Sequence, residues 1–401
     1  MQTAFESPKT IGRGHQPRLL LLSSEFPPGP GGIGTHAFQL ARHLSRLGWA
    51  VRVASPQPYT SAGESESFNR RQPFSVTAFP DRDSGRLWWA RRARAVAVAV
   101  REDSPAIVLA TGRRAIWTAA AVHALTRTPW VAVGHGTEFV SGSPLVRAMT
   151  RRAIEGAAAV IAVSEYTAAL IRRAVNPKRL IVIPNAADGE RFRTGLEPAG
   201  LRERLDLGHR RVLLTVGQVG ERKAQDVVIR AMPQILSVYP DTCYVMAGLP
   251  RKQAEFAALA AELNVAHRVR FAGLLADSEL SNAYNLADLF VLVSRQATDG
   301  DVEGYGIVVQ EAALCGVPAV VSRGCGLTEA IREGETGLSV PPDDPQATAA
   351  TILSLLAADE RRLAMGRRAR ELALTATWSE RANEYDRVLR ELIAPEPGLA
   401  R

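Results

Sequence analysis

Residues 301–318 read Asp-Val-Glu-Gly-Tyr-Gly-Ile-Val-Val-Gln-Glu-Ala-Ala-Leu-Cys-Gly-Val-Pro and lead into the β-branched stretch Ala319–Ser322. A glycine turn, Gly304-Tyr305-Gly306, precedes a run that can become a helix, and a buried strand follows. A turn that opens a helix leaves backbone N–H groups free and attracts an anion such as phosphate. Two carboxylates, Glu303 and Glu311, flank that turn and can accept hydrogen bonds from hydroxyls. Phosphate flanked by hydroxyls describes a nucleotide sugar.

The same alternation extends in both directions. Leu19–Ser23, Ala50–Ala54, Ile107–Ala110, Trp130–Val133, Val160–Val163 and Leu180–Ile183 read as buried strands, with helices such as Thr35–Leu47 and Arg113–Thr126 between them. Around Asp188–His209 the pattern breaks into a polar connector. It restarts with Val212–Val216, Thr242–Ala247, Val269–Phe271, Leu289–Val293, Ala319–Ser322 and Leu338–Val340. Strand–helix alternation predicts an α/β protein with parallel sheets covered by helices on both faces. The break divides it into a first Rossmann-like unit over residues 1–195 and a second over 196–375. An amphipathic helix near Trp378–Ile393, within 376–401, is expected to pack back on the first unit. The chain ends and Ser61–Arg71 are expected to lack structure. Open α/β sheets bind ligands beyond the carboxyl ends of their strands, so two facing units make a cleft that holds one substrate on each side.

Bulk properties agree with two domains. A chain of 401 residues exceeds what one core usually supports, and 46% apolar with 22% charged residues suits an ordinary globular protein. Cys243, Cys315 and Cys325 form neither a disulfide framework nor a zinc pattern. Residues 1–17 are polar and do not read as a secretion signal, and no stretch approaches the ~20 apolar residues of a membrane span. The expected location is the cytoplasm, with peripheral contact at the inner membrane face left open. Residues 1–195 carry 26 Lys and Arg against 13 Asp and Glu, whereas 196–401 carry 23 against 28. The sharpest basic cluster, Arg86-Leu-Trp-Trp-Ala-Arg-Arg-Ala-Arg94, suits either an anionic membrane surface or a solvated helix face with its tryptophans inward. No recognition motif accompanies the charge, which argues against nucleic acid.

Four further segments carry chemistry. Residues 28–36, Pro-Gly-Pro-Gly-Gly-Ile-Gly-Thr-His, follow the first strand, and Gly31 and Gly32 allow close approach of a phosphate or sugar. No acid ends the next strand, which counts against a dinucleotide fold. Strand Val212–Val216 ends in Gly217-Gln-Val-Gly-Glu-Arg-Lys223, in a chain whose lysines are limited to Lys9, Lys178, Lys223 and Lys252. Arg222 and Lys223 at a strand's carboxyl end can neutralise a diphosphate leaving group. His135, in Gly134-His-Gly-Thr-Glu138, sits where it can donate to a sugar hydroxyl or titrate near neutral pH. Asp299-Gly-Asp301 has the form of a metal–diphosphate pair, but the basic pair already supplies the counter-charge, so it reads as an acidic loop and no metal is assigned. Gly-x-Ser-x-Gly, His-Glu-x-x-His and Walker lysine motifs are absent.

Assembled, these pieces resemble a family 4 glycosyltransferase, a retaining enzyme of the GT-B fold. The resemblance runs through Gly31–Gly34, His135-Gly-Thr-Glu138, Val163-Ser-Glu-Tyr166, Val182-Ile-Pro-Asn185, Gly217 to Lys223, Ala247-Gly248 and Glu303 to Pro318. It implies that Arg222 and Lys223 bind the donor diphosphate, Glu311 the ribose hydroxyls and Glu303 the hydroxyls of the transferred sugar. The backbone of Gly306, Ile307 and Val308 would hold sugar and phosphate, and the base would lie near Gly248. Gly32 would approach from the opposite domain and His135 would face the sugar. Members lack an obvious nucleophile; front-face attack, with the leaving phosphate taking the acceptor's proton, is implied. Ala224 stands where the family usually has glycine, and Tyr305 where phenylalanine is commoner. The donor serves as co-substrate and no cofactor is expected. Asp301-Val-Glu-Gly, an aromatic and Gly-Ile-Val are similar to bacterial mannosyltransferases, which favours GDP-mannose and a lipid-linked or glycan acceptor. The rivals are a UDP-sugar 2-epimerase of the same fold, a non-catalytic nucleotide-sugar-binding subunit and a nicotinamide-dependent oxidoreductase. The last is disfavoured by the missing ribose acid.

Overall fold

Short apolar runs become strands buried on both faces, as parallel sheets require, and the segments between them become the covering helices. The computed structural model describes residues 16–79, 88–196 and 199–394, with the side chains of 88–93, 95, 99 and 199 outside that description. The first unit runs β1 (Arg18–Ser23), α1 (Gly32–Arg46), β2 (Ala50–Ser55), α2 (Ala62–Arg70), β3 (Ser75–Ala78), α3 (Trp88–Asp103), β4 (Ile107–Thr111), α4 (Arg113–Thr126), β5 (Trp130–Gly134), α5 (Thr137–Val140), α6 (Pro144–Glu155), β6 (Ala159–Ala162), α7 (Glu165–Ala174) and β7 (Leu180–Val182). The second runs α8 (Ala199–Arg204), β8 (Arg211–Val216), α9 (Gln225–Val238), β9 (Thr242–Ala247), α10 (Gln253–Glu262), β10 (Val269–Gly273), α11 (Asp277–Leu286), β11 (Leu289–Leu292), α12 (Ile307–Leu314), β12 (Ala319–Ser322), β13 (Gly337–Val340), α13 (Pro345–Leu356), α14 (Asp359–Thr375) and α15 (Trp378–Ile393).

Two parallel sheets result, ordered β3-β2-β1-β4-β5-β6-β7 and β10-β9-β8-β11-β12-β13. Each winds outward from its centre, so each has a switch point: between β1 and β4 in the first sheet, and between β8 and β11 in the second.

Side-chain alternation sorts the first sheet's two layers. Leu19 and Leu21 point to a cluster with Leu40 and Leu44 of α1 and Tyr385 and Leu389 of α15. Leu20 and Leu22 point the other way, to Val96 and Val100 of α3, Ile116 of α4, Ile154 of α6 and Ile171 of α7. The first of these cores continues through Ile183, Ala187 and Phe192 of the connector into Val212 and Leu214 of β8, which ties the units together.

The last helix reaches the first unit. Thr377 and Glu380 form its capping box. Tyr385 then lies 3.1 Å from His36 Nε2 of α1, and the Trp49 indole donates to Asp386 at 2.6 Å.

The structure corrects three sequence expectations. Ser61–Arg71, expected to lack structure, contains α2, whose Ser61 and Glu64 cap each other across the first turn. Strand β3 was not foreseen: it is short and lies at the sheet's edge, half exposed, so it lacks the continuous apolar run that marks the others. Helix α1 begins at Gly32, inside the glycine loop, three residues before the expected start. Of the basic cluster 86–94, residues 86 and 87 lie outside the described residues and the rest opens α3.

His36 is fully buried, and its Nδ1 has no partner. Replacing Tyr385 by Phe leaves the ring with neither nitrogen satisfied, so Tyr385→Phe is expected to lower unfolding free energy by ~1–3 kcal/mol. Urea titration followed by circular dichroism checks this, and an unchanged midpoint would show that Tyr385 does not anchor α15 through His36.

Candidate active site

The second sheet supplies the cations. Beyond β8, Gly217 takes φ 140°, and a Cβ there would stand 2.8 Å from Lys223 Cε. Gly248, just past β9, would drive a Cβ to 2.1 Å from the Gly217 carbonyl oxygen. These two glycines therefore let the strand ends and the Lys223 stem pack together. A single 3-10 turn, Glu221–Lys223, follows. Ala224 then adopts the left-handed conformation at φ 52°, the geometry that suits the glycine common there in the resembling family. Alanine meets it at a strain of ~1 kcal/mol.

Arg222 and Lys223 converge on one carboxylate. Lys223 Nζ lies 2.6 Å from Glu303 Oε2, and the Arg222 guanidinium pairs with the same oxygen. Arg222 Nε also donates to Asp301 at 2.8 Å. Burial alone would push the Glu303 carboxyl up, but the two cations pull it down to about 2. Burial also presses Lys223 downward, and Glu303 opposes that. Burial likewise acts against Arg222, whose two carboxylate partners outweigh it and hold it firmly charged.

Beside this cluster Gly306 caps α12, at φ 87°, and Ile307 and Val308 form the helix's first turn. Amides in a first turn have no partner within the helix. Glu311, one turn on, is 6% exposed and accepts the Tyr284 hydroxyl at 2.6 Å. Burial raises its pKa against that bond.

The first sheet supplies the opposite wall. His135 follows β5, and its Nε2 lies 2.7 Å from Thr111 Oγ1 at the end of β4. Its backbone N–H donates to Glu138 Oε2 at 3.0 Å. Burial lowers the His135 pKa to about 4. This corrects the expectation of titration near neutrality: the ring is half-buried and edge-on to the fully buried His36, with centroids 5.0 Å apart, and stays neutral there. Gly31 packs on the chain's own acid, since a Cβ would fall 2.1 Å from Glu25 Oε1. That oxygen accepts the Gly34 N–H at 3.1 Å, so Glu25 sits at the start of α1. Burial raises the Glu25 pKa, against the amides of Gly34 and Ile33 and the field of Arg222 across the cleft. Gly32 has no atom within 4 Å of its Cβ position and is the open glycine of the loop.

The two walls touch. Thr137 of α5 donates to Asp301, and Ser164 Oγ donates to the Gly304 carbonyl at 2.6 Å. A Cβ on Gly304 would stand 1.9 Å from the His135 carbonyl oxygen. Glu329 accepts the first amides of α7, from Glu165 and Tyr166, each at 2.7 Å. This cross-domain cap joins an acid to a helix N-terminus. The singled-out residues thus belong to the strand ends, the loops beyond them and the N-terminal half of α12. Sequence inspection missed Glu25, Glu138, Thr137 and Glu329. The first two had a readable signal, being acids a few residues past the ends of β1 and β5; the last two are set by the docking of one domain on the other. Asp301 serves Arg222 and Thr137, and among the described residues no group of three His, Cys, Asp or Glu is placed to hold a metal.

Two facing Rossmann-like sheets with their carboxyl ends around a charged cleft make this a GT-B protein. Residues 30–191 match the family model described as Glycosyltransferase Family 4, and 201–372 the one described as Glycosyl transferases group 1. A GDP-mannose-dependent alpha-(1-6)-phosphatidylinositol monomannoside mannosyltransferase of Mycobacterium tuberculosis is 31% identical over 376 residues, covering 90% of this chain and 94% of that protein. Its namesake in Mycolicibacterium smegmatis is 36% identical over 61% of this chain and 65% of that protein. A D-inositol 3-phosphate glycosyltransferase of Corynebacterium glutamicum is 33% identical over 55% of this chain and 54% of that protein. In fold, sucrose-phosphate synthase from Thermosynechococcus elongatus superposes with a TM-score of 0.79 at 22% identity, over 94% of this chain and 99% of that one. Anabaena HepE in complex with UDP and glucose gives 0.79 at 20%, over 93% and 99%. The chain belongs to glycosyltransferase family 4 and is a glycosyltransferase that uses a nucleotide-sugar donor.

His135 is held neutral in the fold but binds a proton near its ordinary pKa of ~6.5 when unfolded. The unfolded state therefore takes up the extra proton between those values, and the His135 contribution is lost as pH falls from 6.5 to about 4. His135→Gln removes that dependence. The wild-type and variant unfolding free energies should diverge in slope by up to ~1.4 kcal/mol per pH unit in this window. Parallel curves from denaturant titrations across the window would contradict a ring held neutral by the cleft wall.

Proposed function

We propose that this enzyme moves a hexose, mannose from GDP-mannose, to a lipid-linked or glycan acceptor, with retained anomeric configuration and no metal ion. The relative covering nearly the whole chain carries GDP-mannose and a phosphatidylinositol mannoside in its name, which supports donor and acceptor class. The observation that carries the reading is Glu303 pinned between Arg222 and Lys223, with the next residue, Gly304, in backbone contact with the His135 loop.

Charge assigns the roles. Breaking the bond between the anomeric carbon and the phosphate oxygen sends an electron pair to the diphosphate. Arg222, Lys223 and the first amides of α12 (Ile307 and Val308, with Gly306 before them) neutralise it. Diphosphate oxygens compete with Glu303 for the two cations, so donor binding frees Glu303 to accept hydroxyls of the sugar. Glu311 takes the ribose hydroxyls, Gly248 lies under the base, Gly32 closes on the diphosphate from the first domain and neutral His135 faces the sugar. The acceptor oxygen forms the new bond on the face the phosphate leaves, and its proton passes to the departing phosphate oxygen. Retention is tested by the anomeric coupling of the product in NMR spectra, where an inverted product would refute it. A lipid-linked acceptor brings the enzyme to a membrane surface. No helix among the described residues is long and apolar enough to cross one, so contact would be peripheral.

Lys223→Ala is expected to lower turnover at least ~100-fold, the scale of losing one donor to developing charge. Radiolabelled GDP-mannose with a phosphatidylinositol monomannoside acceptor measures this, and near-normal transfer by the variant would remove the leaving-group role. Because a ligand that binds only the native state raises its melting point, GDP should stabilise the protein well beyond GMP. Equal shifts would mean that the second phosphate meets no cation.

A further inference from the structure

The two helical layers on the first sheet differ in charge. Helices α1, α2 and α15 on one face hold six arginines and six carboxylates in their sequences. Helices α3, α4, α6 and α7 on the other hold eleven arginines and four carboxylates. The same layer also carries exposed apolar side chains: Val98, Leu125, Leu145 at 71% and Met149 at 47% exposure.

These features meet on α6. Leu145 and Met149 stand one turn apart on its outward side. Toward α7 lies a hollow of about 190 Å³ with Phe139 and Ala174 in its lining and Arg147, Arg151 and Arg173 around it. All three arginines are exposed, and none is in a salt bridge among the described residues. Toward α4 lies a groove of about 680 Å³ lined by Trp117, Ala120, Ala148 and Met149. Cations around a hollow, an apolar groove alongside and two apolar side chains between them match a phospholipid surface, with phosphates above and hydrocarbon below. Helix α6 starts three residues after Ser141, whose Cα would stand 3.0 Å from a Cβ on Gly300 in the loop that carries Asp301. The face therefore reaches the mouth of the cleft.

We propose that the layer formed by α3, α4, α6 and α7 docks on an anionic phospholipid bilayer, with Leu145 and Met149 entering the interface and Arg147, Arg151 and Arg173 taking a lipid phosphate. This rests on the lipid-linked acceptor reading and gives it a place on the molecule. The opposite layer stays in water.

Flotation of the full chain with vesicles tests this, using phosphatidylcholine alone or mixed with phosphatidylglycerol, and no donor. Wild type floats with the mixed vesicles only, and added salt weakens it. Each cation near an anionic surface raises partitioning about five-fold, so R147E/R151E/R173E, which removes three cations and adds three anions, lowers it at least ~100-fold. L145E/M149E lowers it at least ~10-fold by removing apolar insertion. R46E/R70E/R387E makes the same charge change on the opposite layer and floats as wild type does. All substituted side chains are exposed, and melting points verify folding. The proposal is overturned if wild type ignores the mixed vesicles, if the α6 variants bind as wild type does, or if the opposite-layer variant loses as much. It is also overturned if L145E/M149E changes only the mass seen by light scattering, which would make the face a contact with a second copy. Donor chemistry is absent from the assay, so a negative result leaves sugar transfer standing, and failed transfer leaves a positive docking result standing.

Discussion

Three charges hold the site: half-buried Glu303 and Arg222 with buried Lys223. Two adjacent cations in a closed strand-end loop repel each other and lose hydration, and a lone pair of this kind would be costly to bury. One carboxylate from the loop after β11 compensates both, and Asp301 from the same loop takes the remaining side of Arg222. The triad therefore locks two neighbouring strand ends of the second sheet, β8 and β11, at the switch point where ligands of open α/β sheets bind. The lock is also exchangeable. A diphosphate offers the same cations more oxygens than one carboxylate does, and the displaced Glu303 stays tethered beside the sugar.

The other contacts extend from this lock. Asp301 reaches Thr137, and Gly304 meets His135 and Ser164, so the loop that neutralises the cations also carries polar contacts between the domains; Glu329, beyond β12, adds the cap on α7. Closure and charge balance are thereby coupled. The continuous core through the connector and the crossing of α15 onto α1 limit how the domains move relative to each other.

Much of this was legible because the signals were local. Buried strands of a doubly wound sheet are continuous apolar runs, and nearly all were readable to within a residue or two. Glu303, Arg222 and Lys223 stood near glycines past strand ends, where few residue types suit an anion site, and Glu311 was placed by its eight-residue spacing from Glu303 across the glycine turn. Strand β3 escaped because an edge strand needs no apolar run, and α2 because its only marker is the Ser61–Glu64 cap. The His135 shift escaped for a different reason. Its partial burial comes from His36 and the rest of the cleft wall, and packing by residues distant in sequence leaves no trace beside the histidine itself. The Glu329 cap and the Thr137 bond likewise depend on where one domain lands on the other. The basic face of the first unit was visible as net charge, but only the fold separates one helical layer from the other.

A crystal structure with GDP-mannose bound tests the central claim most directly. The account predicts both phosphates on Arg222 and Lys223 with the Glu303 carboxylate turned to the mannose hydroxyls. A diphosphate lodged elsewhere, with the Glu303 triad intact, would contradict it.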